Sequence, residues 1–202
     1  EGETKAANYL SAEFKKLGLK PYEGKDFIQN FEYGVKLNPH DDKTSTPVKG
    51  KNVIAVLDNK ADKTIVIGAH YDHLGLNEHH NSTLANSAGQ IHNGADDNAS
   101  GTAAVLELAR MFSQNKTKEN ANYVFALFSG EEDGLMGSKK LAETIKTTYP
   151  NTVFMINMDM VGRLNDKKDL TVGGVGTSPI LSDLVKKYKP EGKANQAHGA
   201  GK

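Results

Sequence analysis

The residues of this 202-residue chain that could do chemistry fall into four short polar clusters. They are His70-Tyr71-Asp72-His73, the segment GADDNASG from Gly94 to Gly101, Ser129-Gly130-Glu131-Glu132-Asp133, and Asp159 between Met158 and Met160. There is no Cys, which excludes disulfides, thiolate metal sites and a Cys nucleophile together. Any metal must be held by imidazole and carboxylate, a donor set that suits zinc, manganese or cobalt at a catalytic site. His70, Asp97, Glu132 and Asp159 would supply that set if the fold brought them together. A paired centre also needs a carboxylate whose two oxygens bridge ions about 3.5–4 Å apart. An Asp side chain is short and stiff enough to do this, and the glycines flanking GADDNASG let the backbone turn tightly enough to present it. Glu131 and Glu132 could divide the roles of metal ligand and of free base beside a bound water. Asp72, two residues after His70, is placed to accept the second ring N–H of a metal-bound imidazole. Asp159 is the hardest to explain without a metal, because a buried, unpaired carboxylate in an apolar run is costly.

The elements that must position these clusters are legible from periodicity. Ala7, Leu10, Phe14 and Leu17 predict a helix over Glu3–Leu17 that stops at Gly18. Strands are predicted at Phe27–Leu37 and Val53–Leu57, with a polar, exposed connection over Asn38–Gly50. Thr64–Ala69 (TIVIGA), Tyr123–Phe128 (YVFALF) and Val153–Met158 (VFMINM) are nearly continuous apolar runs, the pattern of strands buried on both faces. Helices are predicted at Ser100–Phe112, Ser138–Ile145 and Pro179–Tyr188, and a further strand at Leu170–Val175. Strands alternating with helices indicate an α/β fold with a mixed, mainly parallel central sheet between helical layers. Each of the three apolar runs ends in one of the polar clusters, and ligand crevices in open α/β sheets lie outside the carboxyl ends of the strands. The clusters should therefore converge. The long segment Leu74–Gly94, rich in Asn, Ser, Gly and His, reads as a functional loop.

Taken with their order and spacing, AHYDHLG (69–75), NGADDNASG (93–101), SGEEDGLMGS (129–138) and NMDMVGR (157–163) resemble the four signature segments of the M28 zinc peptidases. The resemblance covers essentially the whole chain. It implies a three-layer sandwich, a single peptidase domain over residues 1–202, and two zinc ions per complete domain. It also implies that Asp97, rather than Asp96, bridges the ions, that His70 and Asp159 complete one, and that Glu132 binds the other together with a second His. Glu131 would be the general base and Asp72 the partner of His70. The implied reaction is removal of N-terminal amino acids from peptides by a zinc-activated water. The second His of the family lies further downstream, so the domain is expected to be incomplete at its C-terminal end. His198, in AHGAGK at 197–202, is not expected to replace it. A single-zinc glutaminyl cyclase, a dipeptidase or carboxypeptidase, and a non-catalytic binding module of the same fold are the rival expectations. A pocket for a substrate carboxylate has little arginine to draw on, since Arg110 and Arg163 are the only two.

The remaining features narrow the class. Lys plus Arg equals Asp plus Glu at 25 each, which argues against a nucleic-acid-binding surface. No apolar run reaches the length of a membrane span. The chain starts at Glu1 without Met or an apolar leader, as expected of a processed or trimmed form, and family habit suggests a secreted or periplasmic location. His79 and His80 are expected to be solvent-exposed surface residues. His92 is expected near the substrate pocket, without an assigned role. Met155, Met158 and Met160 are expected in the core or a strand, and Lys15–Lys16, Lys139–Lys140 and Lys186–Lys187 on solvated helix faces.

Overall fold

Helix α1 (Gly2–Lys16) forms where Ala7, Leu10 and Phe14 recur at helical spacing, and all three are buried. It ends where Gly18 takes a left-handed φ of 71°. The strands that follow are β1 (Lys20–Pro21), β2 (Ile28–Val35), β3 (Thr46–Leu57) and β4 (Thr64–His70). Helix α2 (Gly101–Gln114), strand β5 (Asn122–Phe128), helix α3 (Met136–Thr148) and strand β6 (Thr152–Asn157) complete this part. The computed structural model describes residues 1–35, 45–87, 89–188 and 194–196. The chain resolves into two compact units, Glu1–Met160 and Val161–Lys202.

In the first unit six strands make one mixed sheet, in the order β1-β3-β5-β4-β6, with β2 also paired to β3. Strands β5, β4 and β6 run parallel, and β3 is antiparallel to β1, β2 and β5. Alternate side chains of one strand serve opposite faces. Val53 and Ala55 of β3 join Ala7, Leu10 and Phe14 of α1 and Val105 and Ala109 of α2 on one side. Ile54 and Val56 join Leu141 of α3 on the other. The sheet is thus sandwiched between helices, and the expected three-layer α/β architecture with a parallel centre holds.

Three expectations change. The Asn38–Gly50 segment is not a connection throughout, because Thr46–Gly50 begins β3 and pairs with β2 from Val35↔Thr46 to Phe31↔Gly50. Thr46, Pro47 and Lys49 are exposed there, so hairpin pairing rather than burial defines it; residues 36–44, including Lys36 and Leu37 of the predicted first strand, lie outside the described residues. Strand β6 is present, but not buried on both faces: Val153, Phe154, Met155 and Ile156 are 36–57% exposed. The reason is its place at the edge of the sheet, where β4 is its only partner among the described residues. Met155 lies in a strand as expected, with its side chain exposed, and Met158 packs against the main core, whereas Met160 follows the strand and is exposed.

The second unit contains β7 (Leu170–Val172) parallel to β8 (Ala194–Gln196), and α4 (Leu181–Tyr188). The predicted Leu170–Val175 strand stops at Val172, since Gly174 adopts a φ of 74° and opens a 3-10 turn at Val175–Thr177. His198 and the AHGAGK segment lie outside the described residues. No helix among the described residues is long and apolar enough to cross a membrane.

Candidate metal centre

Register brings the clusters level. His70 pairs with Phe128 across β4 and β5, and the Tyr71 N–H continues the ladder onto the Phe128 carbonyl at 2.9 Å. The Met158 N–H donates to the Gly68 carbonyl at 2.8 Å, which carries Asp159 alongside the end of β4. Thr102 Oγ1, in the first turn of α2, donates to the His70 carbonyl at 2.9 Å and so anchors the Ala95–Ser100 turn that carries Asp97. That turn departs from helical geometry at Asp97 and Asn98, and the peptide between them is cis.

His70 is 2% exposed and stands at the centre. Its Nε2 lies 3.1 Å from Asp97 Oδ1, 3.6 Å from Asp159 Oδ1 and 4.0 Å from Glu131 Oε2. Its Nδ1 faces the other way, 3.2 Å from the Asp72 carbonyl and 3.5 Å from Asp72 Oδ1. Two groups of donor atoms share this imidazole, each close enough to surround one cation: His70, Asp97 and Asp159, and His70, Glu131 and Glu132. All six residues singled out in the sequence therefore meet at one edge of the sheet, with Glu132 falling in the group with Glu131. Asp97 and Asp159 are about half exposed, so the centre is open on their side, and Asp159 is not the buried carboxylate expected from its apolar run, because that run lies at the exposed edge of the sheet.

Crowded charge leaves its mark on the titration of the site. For His70 burial opposes the charged form, but the Asp72 hydrogen bond and the charges of Asp72, Glu131 and Asp159 outweigh it and push the imidazole up to about 9. Burial, reinforced by Asp97, Glu131 and Asp72, raises the Glu132 carboxyl to about 7. Burial raises Glu131 as well, with His70 opposing and Asp72, Asp159 and Asp97 adding to the rise. Asp72 Oδ1 is buried and has only the His70 Nδ1 before it, at a long 3.5 Å, while its Oδ2 accepts the Glu132 N–H at 3.2 Å. A divalent cation at Nε2 would relieve the carboxylate crowding and turn Nδ1–H toward Asp72, so the residues present fit a zinc-type ion.

Two buried asparagines that sequence analysis passed over hold this arrangement. Asn98 Nδ2 donates to the Met158 carbonyl at 2.9 Å, and its Oδ1 accepts the N–H groups of Gly101 at 3.0 Å and Met160 at 3.3 Å. It therefore brackets Asp159 while following Asp97 in the chain. Asn52 Oδ1 accepts the Ser129 N–H at 3.2 Å, and its Nδ2 donates to the Gly137 carbonyl at 2.8 Å, closing both ends of the turn that carries Glu131 and Glu132. Ser129 Oγ also donates to Glu3 Oε1 at 2.5 Å, which ties α1 to the same turn. The signal for Asn52 was an amide directly ahead of the apolar run VIAVL, where an unsatisfied polar group is unfavourable.

His79 corrects its expectation. It is half-buried, and its Nδ1–H donates to Asp133 Oδ1 at 2.6 Å, whereas His80 is exposed. His92 is half-buried; its N–H donates to the Gly75 carbonyl at 2.8 Å.

Both the sequence and the fold have counterparts among known proteins. A probable zinc metalloprotease of Pyrenophora teres f. teres is 36% identical over 159 residues, covering 78% of this chain and 32% of that protein. Leucine aminopeptidase 1 of the same fungus is 32% identical over 155 residues, covering 75% of this chain and 36% of that protein. The chain thus spans about a third of the length of these relatives. Among solved structures, a Zn-dependent exopeptidase from Parabacteroides distasonis superposes with a TM-score of 0.65 at 20% identity, over 98% of this chain and 69% of that one. A glutaminyl cyclase from Fimbriiglobus ruber gives 0.68 at 20% identity, over 93% and 63%. These two share the fold. The match that decides the family is to the sequence profile of Peptidase family M28 across residues 52–200, and the chain belongs to that family.

Proposed function

We propose that this chain carries the catalytic metal centre of a zinc-dependent aminopeptidase, which removes N-terminal amino acids from peptides. The observation that supports this most is the meeting of His70, Asp97, Glu131, Glu132 and Asp159 at the carboxyl edge of β4, β5 and β6. His70 and Asp159 are assigned to one ion and Glu132 to a second. Asp97, whose carboxylate lies 3.1 Å from His70 Nε2, would be the ligand shared between them. Bound zinc supplies Lewis acidity to the scissile carbonyl and acidifies water. Glu131 takes the water proton and delivers it to the leaving amine; its raised pKa suits a group that must both accept and release a proton. Asp72 fixes the His70 ring with Nδ1 protonated and Nε2 free to bind. A secreted or periplasmic location goes with this reading.

The test measures zinc stoichiometry and hydrolysis of aminoacyl chromogenic substrates on the full-length natural protein. Two zinc ions per chain, with Glu131→Gln retaining metal but losing cleavage by a factor of about 100 or more, is the expected result. One zinc, no amino-acid release, and ammonia release from peptides with N-terminal Gln would instead make the protein a glutaminyl cyclase.

A further inference from the structure

The polar segment 74–87 leaves the end of β4 four residues after His70, and the chain beyond it leads to the turn that carries Asp97. It is knit together internally. Asn77 Oδ1 accepts the Ser82 N–H at 3.0 Å, and Asn77 Nδ2 donates to Ser87 Oγ at 3.1 Å. Asn77 and His80 both take a left-handed φ of 58°, a conformation Asn and His adopt more readily than most residues.

This segment also grips the acidic turn. The Asp133 carboxylate is only 9% exposed, and both of its oxygens are engaged, Oδ1 by His79 at 2.6 Å and Oδ2 by the Tyr33 hydroxyl at 2.8 Å. Asn81 Nδ2 donates to the Glu132 carbonyl at 2.5 Å. The Glu132 N–H is held at the same time by Asp72 Oδ2 at 3.2 Å. The main chain of Glu132 is thus fixed on both sides, by the residue that orients His70 and by the segment that follows His70.

We infer that Asp133, His79 and Asn81 are positioning residues that couple docking of residues 77–81 to metal binding at Glu132 and His70. The inference rests on the proposed metal centre. Holding the Glu132 main chain removes freedom that its carboxylate would otherwise lose when it takes up a cation, so docking strengthens metal binding. By reciprocity, metal strengthens docking to the same degree.

The experiment uses the full chain, with zinc affinity read by competition with a fluorescent chelator and hydrogen–deuterium exchange followed for peptides within 74–87. In the unsubstituted protein zinc should slow exchange in this segment. The double substitution His79→Ala and Asn81→Ala should weaken zinc binding about tenfold or more and abolish the zinc-dependent slowing. The thermal midpoint of the chelated protein should fall by less than the loss of zinc affinity accounts for. His79→Gln, which keeps a donor for Asp133, should recover part of the affinity when paired with native Asn81. Unchanged zinc affinity in the double variant, or an affinity loss matched by a fall in the chelated midpoint, overturns the coupling. Failure of the unsubstituted protein to bind zinc overturns the metal centre itself, and the coupling with it.

Discussion

At the scale of residues, the site turns on a contest for His70. Without a cation its two ring nitrogens face carboxylates on opposite sides, which keeps the imidazole protonated up to about 9. Zinc held at Nε2, as proposed, would have to displace its proton. Its affinity should therefore tighten about tenfold per pH unit between 7 and 9, and more steeply below 7, where Glu132 must also lose a proton. Chelator competition across this range checks the slope; a flat profile would place the cation elsewhere. Stability runs in the opposite sense. The folded-state pKa values of His70 and Glu132 lie above their ordinary values of 6.5 and 4.5, so the chelated fold binds more protons than the unfolded chain. Their contribution is complete at low pH and is lost as pH rises through about 7 and then about 9. The thermal midpoint of chelated protein should fall from pH 5 to pH 9, and zinc should restore it. Asp72→Asn removes the charge behind Nδ1 and should lower zinc affinity about 10- to 100-fold with the fold intact, measured by the same competition.

At the scale of elements, the acidic turn depends on close approach. A side chain at Gly137 would meet the Ser129 carbonyl and Asn52 Oδ1, which already accepts the Ser129 N–H. Gly137→Ala should cost on the order of 1–3 kcal/mol in a denaturant titration and weaken zinc binding as Glu131 and Glu132 shift. Asn98→Ala would leave the Met158 carbonyl and the Gly101 and Met160 N–H groups without their partner. A loss of about 1–3 kcal/mol is expected, together with weaker metal binding, because Asp97 and Asp159 are no longer held to each other.

At the scale of the first unit as a whole, two faces of one sheet are treated differently at its two ends. Phe14, Val53, Phe125 and Leu127 are fully or almost fully enclosed between sheet and helices, while β6 presents Val153, Phe154, Met155 and Ile156 to solvent at the edge. An exposed apolar edge strand is a template for pairing with another chain. The 202-residue chain alone should associate with rising concentration in sedimentation velocity, and Met155→Lys should reduce that association.

The sequence by itself determined the helices and strands whose apolar period is strong, the layered α/β class, and the four clusters that end three strands and open α2. This follows from physics local to the chain: burial on both faces requires continuous apolar runs such as TIVIGA and YVFALF, and the polar clusters begin where those runs end. Tertiary structure alone decided which partner each group meets. Nothing near His79 in sequence marks it as the partner of Asp133, which lies 54 residues away, and the composition of VFMINM is the same whether a neighbour covers it or not. Asn52 and Asn98 acquire their roles only when distant backbone groups arrive at their amides, at Gly137, Ser129, Met158 and Met160. Periodicity records what a residue must bury, whereas hydrogen bonds between distant segments depend on register and layer packing, which only the folded chain sets.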